Sequence, residues 1–563
     1  MSDAFDVVVI GSGFGGSIAA CRLAQAGRRV CVLERGRRWT STEFPRSPSE
    51  VSRDAFWDLP RGRFGLLEYK AFRHVHVIQG CGVGGGSLHY FNVHMRPPDS
   101  IFDDPRWPKE VTPDVLDPYY RLAREMLDAA PLSPPTGRTL PVRTRAFTEA
   151  CRRSGHEPAL VDIAVYTGDG RRNPYGDVPQ QPCDYSGACA LGCATKAKNS
   201  LDVSYLALAE KHGAQVRPLH QVDRIEPLPR GGYRVRYARL RPNGPGLPEP
   251  GWVEGDGVVV AAGTLGTNEL LLRCRDRHGT LPRLSDALGR GFSGNGDLLL
   301  AGTLTDRDVD PTRGPSITVG ADFSTPRQQI YIEDLGFPDP VMWFIEGMLA
   351  NAVPTINLVR WGKLFLKGSL GISGATDRLG HERERLFGGG RTRGFLPYLG
   401  MCQDAADGQF VLDRDGNLDL HWDPARSLPN FVEMENAMRS LSRALDGTYV
   451  ASPLWSPPLR EALTAHPLGG CVMANDRWRG VVNSYGEVFE YPGLFVMDGS
   501  IIPAPLARNP TATISALAER AVFHLIHGRE MGADDVPTTR TVIPAPAAPT
   551  DDVAVLPRRG AHD

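Results

Sequence analysis

Blocks of apolar residues near the start of the chain have the lengths and periods of a strand, a helix and a second strand. Residues 6–10 read Asp-Val-Val-Val-Ile, residues 17–26 have the helical period, and residues 29–33 form another short apolar run. The β-branched run at residues 257–264 has no polar interruption until its end, which is typical of a strand buried in a parallel sheet. The pattern therefore predicts an α/β domain. Other predicted elements are helices at residues 110–130, 200–212 and 267–273 and a β-meander at residues 223–225 and 233–237.

A different pattern occupies residues 295–460. Short strand-like runs, a helical stretch near residues 429–445 and a loop rich in Gly and Arg at residues 388–394 replace the alternation of strand and helix. We interpret this part as a second domain, built on an antiparallel sheet, that covers the substrate. The strand-like runs lie at residues 297–303, 409–412 and 418–422.

The chain then returns to the first domain. A strand-like run at residues 493–500 ends in Asp-Gly-Ser, and a helix is predicted over residues 511–527. Beyond residue 532 the sequence is rich in Pro, Ala, Asp and Arg, which predicts a disordered tail. The predicted parts are a discontinuous first domain of residues 1–294 and 462–531 with insertions near 41–75 and 96–195, a second domain of residues 295–461, and a tail of residues 532–563.

The first strand leads into the turn Gly11-Ser12-Gly13-Phe14-Gly15-Gly16, and the second strand ends on Glu34. Strand, Gly-x-Gly-x-x-Gly, helix, strand and acid in this order are typical of a dinucleotide-binding βαβ unit. Gly11 permits the tight turn, Gly13 lets the backbone approach a pyrophosphate, and Gly16 lets the helix pack on the strand. The phosphates would lie at the helix N-terminus. Glu34 would accept hydrogen bonds from ribose hydroxyls and repel a 2′-phosphate.

A second glycine-rich stretch, Gly80-Cys81-Gly82-Val83-Gly84-Gly85-Gly86-Ser87, is too rich in glycine for a stable helix or strand. It has two interpretations. The backbone could be held against a flat ligand, or the stretch could be a flexible surface turn.

Composition and charge narrow the class of protein. The chain of 563 residues has a formal net charge of −2, which gives no electrostatic case for a nucleic-acid partner or an anionic membrane. The most apolar stretch, residues 341–370, is interrupted by charges and proline, so we expect no integral membrane association. Few residues precede the first strand, so we expect no signal peptide and a cytoplasmic location. In a reducing compartment the ten cysteines would be free thiols or ligands.

Four elements carry a resemblance to a known family. They are Gly-x-Gly-x-x-Gly with Glu34, the glycine run at residues 80–87, Ala465-His466-Pro467-Leu468-Gly469-Gly470, and Asp498-Gly499-Ser500 with Asn509-Pro510. In this order the chain resembles the GMC (glucose–methanol–choline) flavin oxidoreductases, and within them the cholesterol-oxidase branch. The resemblance implies a Rossmann-type FAD-binding domain, a discontinuous substrate domain on an antiparallel sheet, and non-covalent FAD that takes a hydride from an alcohol.

The resemblance also assigns residues to the cofactor. The first turn and Glu34 would hold the ADP half, Val222 would lie beside adenine, and the second glycine run would follow the flavin. Asp498 and Gly499 would bind the ribityl and pyrophosphate region. The cofactor-binding residues that it implies are Gly11, Gly13, Phe14, Gly15, Gly16, Glu34, Gly82, Gly85, Gly86, Ser87, Asn92, Val222, Ala262, Gly263, Asp498, Gly499, Asn509, Pro510 and Thr511.

His466 and Asn509 match the family's catalytic pair. Alcohol oxidation needs an acceptor for the hydroxyl proton, and the ordinary pKa of histidine suits that task. Asn509 would hold the substrate oxygen. The Asn-Pro pair has a second interpretation, since Asn is a preferred N-cap and Pro is favoured in the first helical turn, so Asn509 could simply start the helix that follows.

One departure from the family concerns a glutamate in the substrate domain that moves a double bond after oxidation in cholesterol oxidases. An alignment on residues 398–412 puts Thr392 near that position. Threonine has no carboxylate, so it cannot move the double bond. Glu346, in an apolar segment, is the fallback. Steroid isomerisation is therefore not expected, and the case for a sterol substrate is weaker.

Cys183, Cys189 and Cys193 form the last candidate site. Three thiols within eleven residues could ligate an iron–sulfur cluster, or less readily zinc, although a fourth ligand is not evident and plain structural thiols are the alternative. The segment is similar to the cysteine cluster of iron–sulfur dehydrogenases in this superfamily.

The leading hypothesis is an FAD-dependent oxidoreductase that oxidises a bulky hydrophobic alcohol, such as a sterol or polycyclic natural product, with oxygen or another electron acceptor. The alternative is a sugar or polyol dehydrogenase that passes electrons to a non-oxygen acceptor, through an iron–sulfur cluster if one is present. A flavin-binding protein without catalysis is a third interpretation, and the His466 and Asn509 pair counts against it.

Overall fold

The structure is a computed structural model that describes residues 3–135, 137–242, 248–348, 392–456, 459–532 and 535. Its α-helices are α1 Phe14–Gln25, α2 Pro48–Asp54, α3 Pro113–Met126, α4 Val142–Arg153, α5 Tyr205–Lys211, α6 Gly263–Leu272, α7 Asp339–Met348, α8 Leu428–Ala444 and α9 Thr511–His527. Its strands are β1 Ala4–Ile10, β2 Val30–Leu33, β3 Trp57–Asp58, β4 Arg63–Phe64, β5 Leu67–Ala71, β6 Val75–Gly80, β7 Ala130–Pro131, β8 Pro158–Leu160, β9 Asp162–Ile163, β10 Arg171–Arg172, β11 Pro179–Gln180, β12 Gln215–Arg217, β13 His220–Pro227, β14 Tyr233–Arg239, β15 Glu249–Val260, β16 Arg290–Ser293, β17 Leu298–Leu304, β18 Val319–Asp322, β19 Ile330–Asp334, β20 Phe395–Cys402, β21 Gly408–Leu412, β22 Leu418–His421, β23 Thr448–Val450, β24 Ala462–Thr464, β25 Leu468–Gly470 and β26 Leu494–Val496.

The first sheet has the strand order β12-β2-β1-β15-β14-β13, with β26 also paired to β15. Strands β12, β2, β1, β15 and β26 run parallel, whereas β14 and β13 form the predicted antiparallel meander. Helix α1 packs against α5 and α9, so that the apolar strands are covered. The carboxyl ends of β1, β2, β15 and β26 meet at one edge, where an open α/β sheet binds its ligand.

The second large sheet is antiparallel and has the order β23-β17-β20-β19-β18-β8. The run predicted at residues 297–303 is its strand β17, and strand β8 comes from the insertion near residues 96–195. The runs predicted at 409–412 and 418–422 are also strands, but they join a separate four-stranded sheet of order β22-β21-β16-β25. The mixed α/β architecture is thus confirmed, and the second half contains two sheets where one was expected.

Several expectations fall on residues outside the described part of the chain. These are most of the loop at residues 388–394, the apolar segment beyond residue 348, the side chains of Glu346 and Thr392, and nearly all of the tail. Within the described part, every helix is too short or too polar to cross a membrane.

Candidate active site

The first glycine turn is packed so tightly that three of its four glycines leave no room for a side chain. A Cβ atom at Gly11, Gly15 or Gly16 would overlap the backbone of Ala261, of Met497 or of Gly11 itself. A Cβ at Gly13 would meet no atom within 4 Å, and Gly13 has an ordinary extended φ of −70°. No side chain caps the N-terminus of α1. The turn therefore leaves open space directly in front of a helix N-terminus, which suits a pyrophosphate.

Glu34 is held at the edge of this space. Its carboxylate accepts hydrogen bonds from Ser12 N at 3.0 Å, Ser12 Oγ at 2.7 Å and Gly36 N at 2.7 Å. The backbone of Glu34 also pairs with Arg217 and His220, which brings the start of β13 alongside. Val222 lies two residues further on, where the strand register shifts. Glu34 and Val222 are thus brought to the same side of the turn.

The second glycine run lies directly on the first turn. Gly84 N donates to Ser12 Oγ at 3.1 Å, and a Cβ at Gly85 would lie 2.6 Å from Gly13 Cα. A Cβ at Gly86 would meet no atom within 4 Å. The interpretation as a free surface turn is therefore wrong. Gly13 and Gly86 each border space that no protein atom fills. The two glycine runs therefore fit an extended cofactor that crosses both of them.

Asp498 joins the last strand of the sheet to α6. Its buried carboxylate accepts hydrogen bonds from Gly263 N at 3.0 Å and Thr267 Oγ1 at 2.5 Å, and from the backbone and hydroxyl of Ser500 at 2.9 and 2.5 Å. Burial raises the pKa of Asp498, and these four donors oppose that rise. The side chain is fully used inside the protein, so it orients Gly263 and Gly499 rather than reaching outward.

His466 is paired with a carboxylate that the sequence did not single out. Its Nδ1 lies 2.9 Å from Asp297 Oδ1, and Asp297 is fully buried. Thr464 Oγ1 and Ala465 N donate to the other carboxylate oxygen at 2.8 and 3.1 Å. With the Nδ1 proton donated to Asp297, Nε2 carries the lone pair. The imidazole is therefore oriented as a proton acceptor.

A single turn between β16 and β17 fixes both candidate catalytic segments. Asp404 accepts hydrogen bonds from Ser293 Oγ and the backbone of the turn. Asn295 Oδ1 accepts from Leu506 N at 2.8 Å and Ala507 N at 3.0 Å, which anchors the loop that carries Asn509. Asp297, two residues later, holds His466. The turn thus ties together two segments that are distant in sequence.

Asn509 does not cap the last helix. The residue before α9 is Pro510, and no side chain caps the helix N-terminus. Instead Asn509 Nδ2 donates to Glu333 Oε2 at 3.2 Å, and Asn509 Oδ1 is buried without a hydrogen-bond partner among the described residues. The capping interpretation is therefore wrong. Among the described residues, this amide oxygen therefore keeps its capacity to accept a hydrogen bond.

Glu333, which lies on β19, is a carboxylate that the sequence analysis did not single out. It is fully buried beside Asn509. Burial, together with nearby Asp334 and Asp297, raises the pKa of Glu333 to about 8, against the opposing effects of Asn509 and Arg508. Thr392 and Glu346, the two residues considered for the family's glutamate, have side chains outside the described residues, so Glu333 is an additional candidate carboxylate.

The raised pKa of Glu333 predicts a pH-dependent cost to stability. Between the unfolded pKa of 4.5 and the folded pKa of about 8, unfolding releases a proton, so stability falls as pH rises through this window. Glu333→Gln keeps the shape and the hydrogen bond to Asn509. We expect its melting temperature to exceed that of the wild type at pH 8 and to approach it below pH 4.5, measured by thermal unfolding. Equal melting temperatures at both pH values would contradict the buried-carboxyl assignment.

The three cysteines of the candidate cluster site are free. Across the described ranges, no group of three or more His, Cys, Asp or Glu side chains is arranged to hold a metal ion. Asn92, predicted beside the flavin, has a positive φ of 72° and donates from Nδ2 to Cys189 Sγ at 3.1 Å. Cys189 therefore contacts Asn92, which follows the second glycine run in the sequence.

Comparison with known proteins identifies the family. Two models described as GMC oxidoreductase match residues 6–275 and 426–518. The chain is 32% identical to a cholesterol oxidase of Mycobacterium tuberculosis (strain CDC 1551 / Oshkosh) over 92% of this chain and 91% of the relative. It is 29% identical to a cholesterol oxidase of Acinetobacter baumannii over 92% and 94%, respectively. It is 22% identical to the long-chain-alcohol oxidase FAO4A of Arabidopsis thaliana over 91% of this chain and 67% of that relative.

The fold is also similar to that of a solved oxidase structure. The crystal structure of pyridoxine 4-oxidase from Mesorbium loti superposes with a TM-score of 0.60 at 18% identity, covering 92% of this chain and 98% of that one. The first family model covers both glycine runs, and the second covers the segments that carry His466 and Asn509. The chain therefore belongs to the GMC oxidoreductase family and is an FAD-dependent alcohol oxidoreductase.

Proposed function

We propose that this enzyme oxidises the CH–OH group of a bulky hydrophobic alcohol such as a sterol. In this proposal the parallel sheet is the Rossmann-type FAD-binding domain, and the six-stranded antiparallel sheet covers the substrate. The observation that carries it is the hydrogen bond that orients His466 toward Asp297, since it leaves Nε2 of the imidazole as a proton acceptor. In the same proposal, the buried amide of Asn509, whose oxygen has no partner among the described residues, faces the substrate. One turn holds both groups.

The cofactor would cross the two glycine runs. The amides at the N-terminus of α1 would face the pyrophosphate, and Glu34 would receive the ribose hydroxyls. The uncapped N-terminus of α9, which begins with Thr511 after Pro510, would stabilise negative charge on reduced flavin. Other residues proposed to contact the cofactor are Phe14, Gly82, Gly85, Ser87, Asn92, Val222, Ala262, Gly263 and Gly499.

Bound FAD supplies the hydride acceptor. His466 would take the hydroxyl proton at Nε2, while Asp297 stabilises the imidazolium that results. Asn509 Nδ2 has two N–H groups. One donates a hydrogen bond to Glu333, so the second can donate to the substrate oxygen. The base and the oxygen-binding group are thus in place before substrate arrives, which lowers the reorganisation required during reaction.

The apolar surroundings of the site favour a hydrophobic substrate over a polyol. Leu463, Leu299 and Tyr331 belong to one apolar cluster, and each lies within two residues of Thr464, Asp297 or Glu333 along the chain. Phe91 packs edge-to-face on Phe337 in the same cluster at 5.6 Å between ring centroids. Apolar residues beside the proposed site would suit a hydrophobic substrate better than a polyol, which needs several polar partners.

We further propose that Glu333 moves the double bond when the substrate is a sterol. The group lies beside the amide proposed to hold the substrate oxygen, and its pKa of about 8 lets it take and return a proton near neutral pH. Glu333→Gln should then oxidise a 3β-hydroxy-5-ene sterol but leave the double bond unmoved, which product analysis by mass spectrometry and absorbance would reveal. A conjugated ketone formed by this variant at the wild-type rate would exclude Glu333.

Anaerobic titration tests the substrate class. Purified holoenzyme is mixed with sterols, long-chain alcohols or polyols, and loss of the oxidised flavin absorbance is recorded. We expect sterols or long-chain alcohols to bleach the flavin and polyols not to. Bleaching by polyols alone, in protein that contains iron, would instead support the dehydrogenase alternative.

A further inference from the structure

Three partly exposed thiols lie in one segment, residues 183–198, which we call the thiol segment. Cys183, Cys189 and Cys193 have intermediate exposure, whereas the other seven cysteines are buried. Burial raises the pKa of Cys183 far above its ordinary value, and the sulfurs of Cys189 and Cys193 add to that rise, so the three side chains are neighbours. A small reactant can therefore reach these thiols far more readily than the other seven.

The thiol segment is fastened to the flavin-facing segment, residues 80–92, at three points. Lys198 Nζ donates to the carbonyl oxygens of Leu88 and Cys189, both at 2.8 Å. Leu201 N, just past the thiol segment, donates to Ser87 Oγ at 3.0 Å. The third point is Asn92 Nδ2 to Cys189 Sγ. A change at Cys189 therefore acts directly on residues proposed to line the flavin.

Cationic groups and N–H donors surround these thiols. Burial lowers the pKa of Lys198 to about 8, and Cys189 and Cys193 oppose that fall, so the ammonium and the sulfurs interact. Cys193 Sγ accepts from Lys198 N at 3.4 Å, and Cys189 Sγ accepts from Asn92. Arg46 places a second cation nearby, since it donates to the carbonyls of residues 191 and 192. Cations and N–H donors of this kind mark reactive rather than structural cysteines.

We propose that Cys189 is a site of reversible oxidation by hydrogen peroxide, with Cys193 as the resolving thiol. The Cys189 sulfur attacks one peroxide oxygen, the O–O bond breaks, and the sulfur becomes a sulfenic acid as hydroxide leaves and takes up a proton to form water. Cys193 sulfur then attacks the sulfenic sulfur, a second water leaves, and a disulfide forms. Two thiols are oxidised by two electrons in total, and one peroxide is reduced to two waters.

Oxidation at Cys189 removes the thiol that Asn92 contacts, and the disulfide draws Cys189 toward Cys193 within the thiol segment. Because residues 87–92 are tied to this segment, the flavin-facing backbone shifts with it. The enzyme would thus slow when peroxide accumulates, which goes beyond the alcohol oxidation proposed above. Added peroxide supplies the oxidant in the test, so the result does not depend on the substrate.

The test uses reduced holoenzyme treated with hydrogen peroxide, followed by dimedone labelling and peptide mass spectrometry. In wild type we expect a Cys189–Cys193 disulfide, reversed by dithiothreitol, and a fall in kcat of about tenfold, because small displacements near reacting atoms are costly. Cys193→Ser should accumulate dimedone on Cys189. Cys189→Ser should lose far less of its own untreated activity on the same exposure. The seven buried cysteines are internal controls.

Five results would overturn the proposal, of which the first four concern the thiols and the activity. These four are an unmodified Cys189 in folded wild type, equal labelling of the buried cysteines, full activity after disulfide formation, and equal inactivation of Cys189→Ser. Stoichiometric iron or zinc released by thiol-directed reagents would also overturn it, since these sulfurs would then be ligands. The mapping on wild type needs no variant, so a variant that fails to fold leaves the test intact.

Discussion

Replacing His466 by glutamine should lower kcat by about 10²- to 10⁴-fold, the range lost when a positioned proton acceptor is removed. The variant should keep its yellow colour, because His466 is held by Asp297 and Thr464 and not by either glycine run. The measurement is steady-state turnover with the alcohol found by anaerobic titration, together with the flavin absorbance of the purified protein.

Two companion variants define what the loss means. His421→Gln changes a histidine on β22 whose side chain is 69% exposed, and it should leave turnover unchanged. Asp297→Asn should lower kcat in the same direction as His466→Gln, because an amide can present an N–H to Nδ1 and favour the wrong tautomer. Near-normal turnover in His466→Gln would remove His466 from the mechanism.

Gly13→Val should produce a folded protein that binds no FAD. In the structure a Cβ atom added at Gly13 meets no atom within 4 Å, and the backbone at Gly13 is extended, which valine accepts. The new methyl groups would instead fill the space in front of α1 where the pyrophosphate is proposed to lie. We expect colourless protein with near-native circular dichroism, and the flavin content of purified protein provides the measurement.

Gly155→Ala is the control for a mild loss of stability. Gly155 also faces open space but has a φ of +84°, so alanine there costs about 1–2 kcal/mol in backbone strain while lying in a turn after α4. This variant should stay yellow. Stoichiometric FAD in Gly13→Val would mean that the pyrophosphate does not pass in front of α1.

The parts of the fold that the sequence predicts best are those in which local pattern and tertiary role coincide. The run of Val and Ile in β1 is buried on both faces, and its short length, its β-branched residues and the glycine turn that follows identify the strand. Helix α9 begins and ends where expected because proline precedes it and glycine follows at Gly528. Strands β18 and β19 were not predicted, since their runs are short and their partners are set by pairing across the chain.

The same distinction separates the predicted from the missed site residues. The spacing of the glycines predicts the two glycine runs, and the residues that follow His466 identify it as a candidate site residue. Asp297 and Glu333 carry no local signature, because each acquires its role only when β17 and β19 lie beside segments far away in the sequence. A carboxylate pair, Glu333 and Asp334, at the end of an apolar run was the one available signal.

The turn that precedes β17 has a consequence for how such enzymes diversify. Asn295 and Asp297 hold the amide loop and the imidazole from a position just outside the antiparallel sheet. We therefore expect that residues from Leu298 onward can be exchanged to suit a differently shaped alcohol while the turn still holds the two segments proposed to react. Grafting a foreign strand region after Asp297 is accordingly a route to altered selectivity with the chemistry preserved.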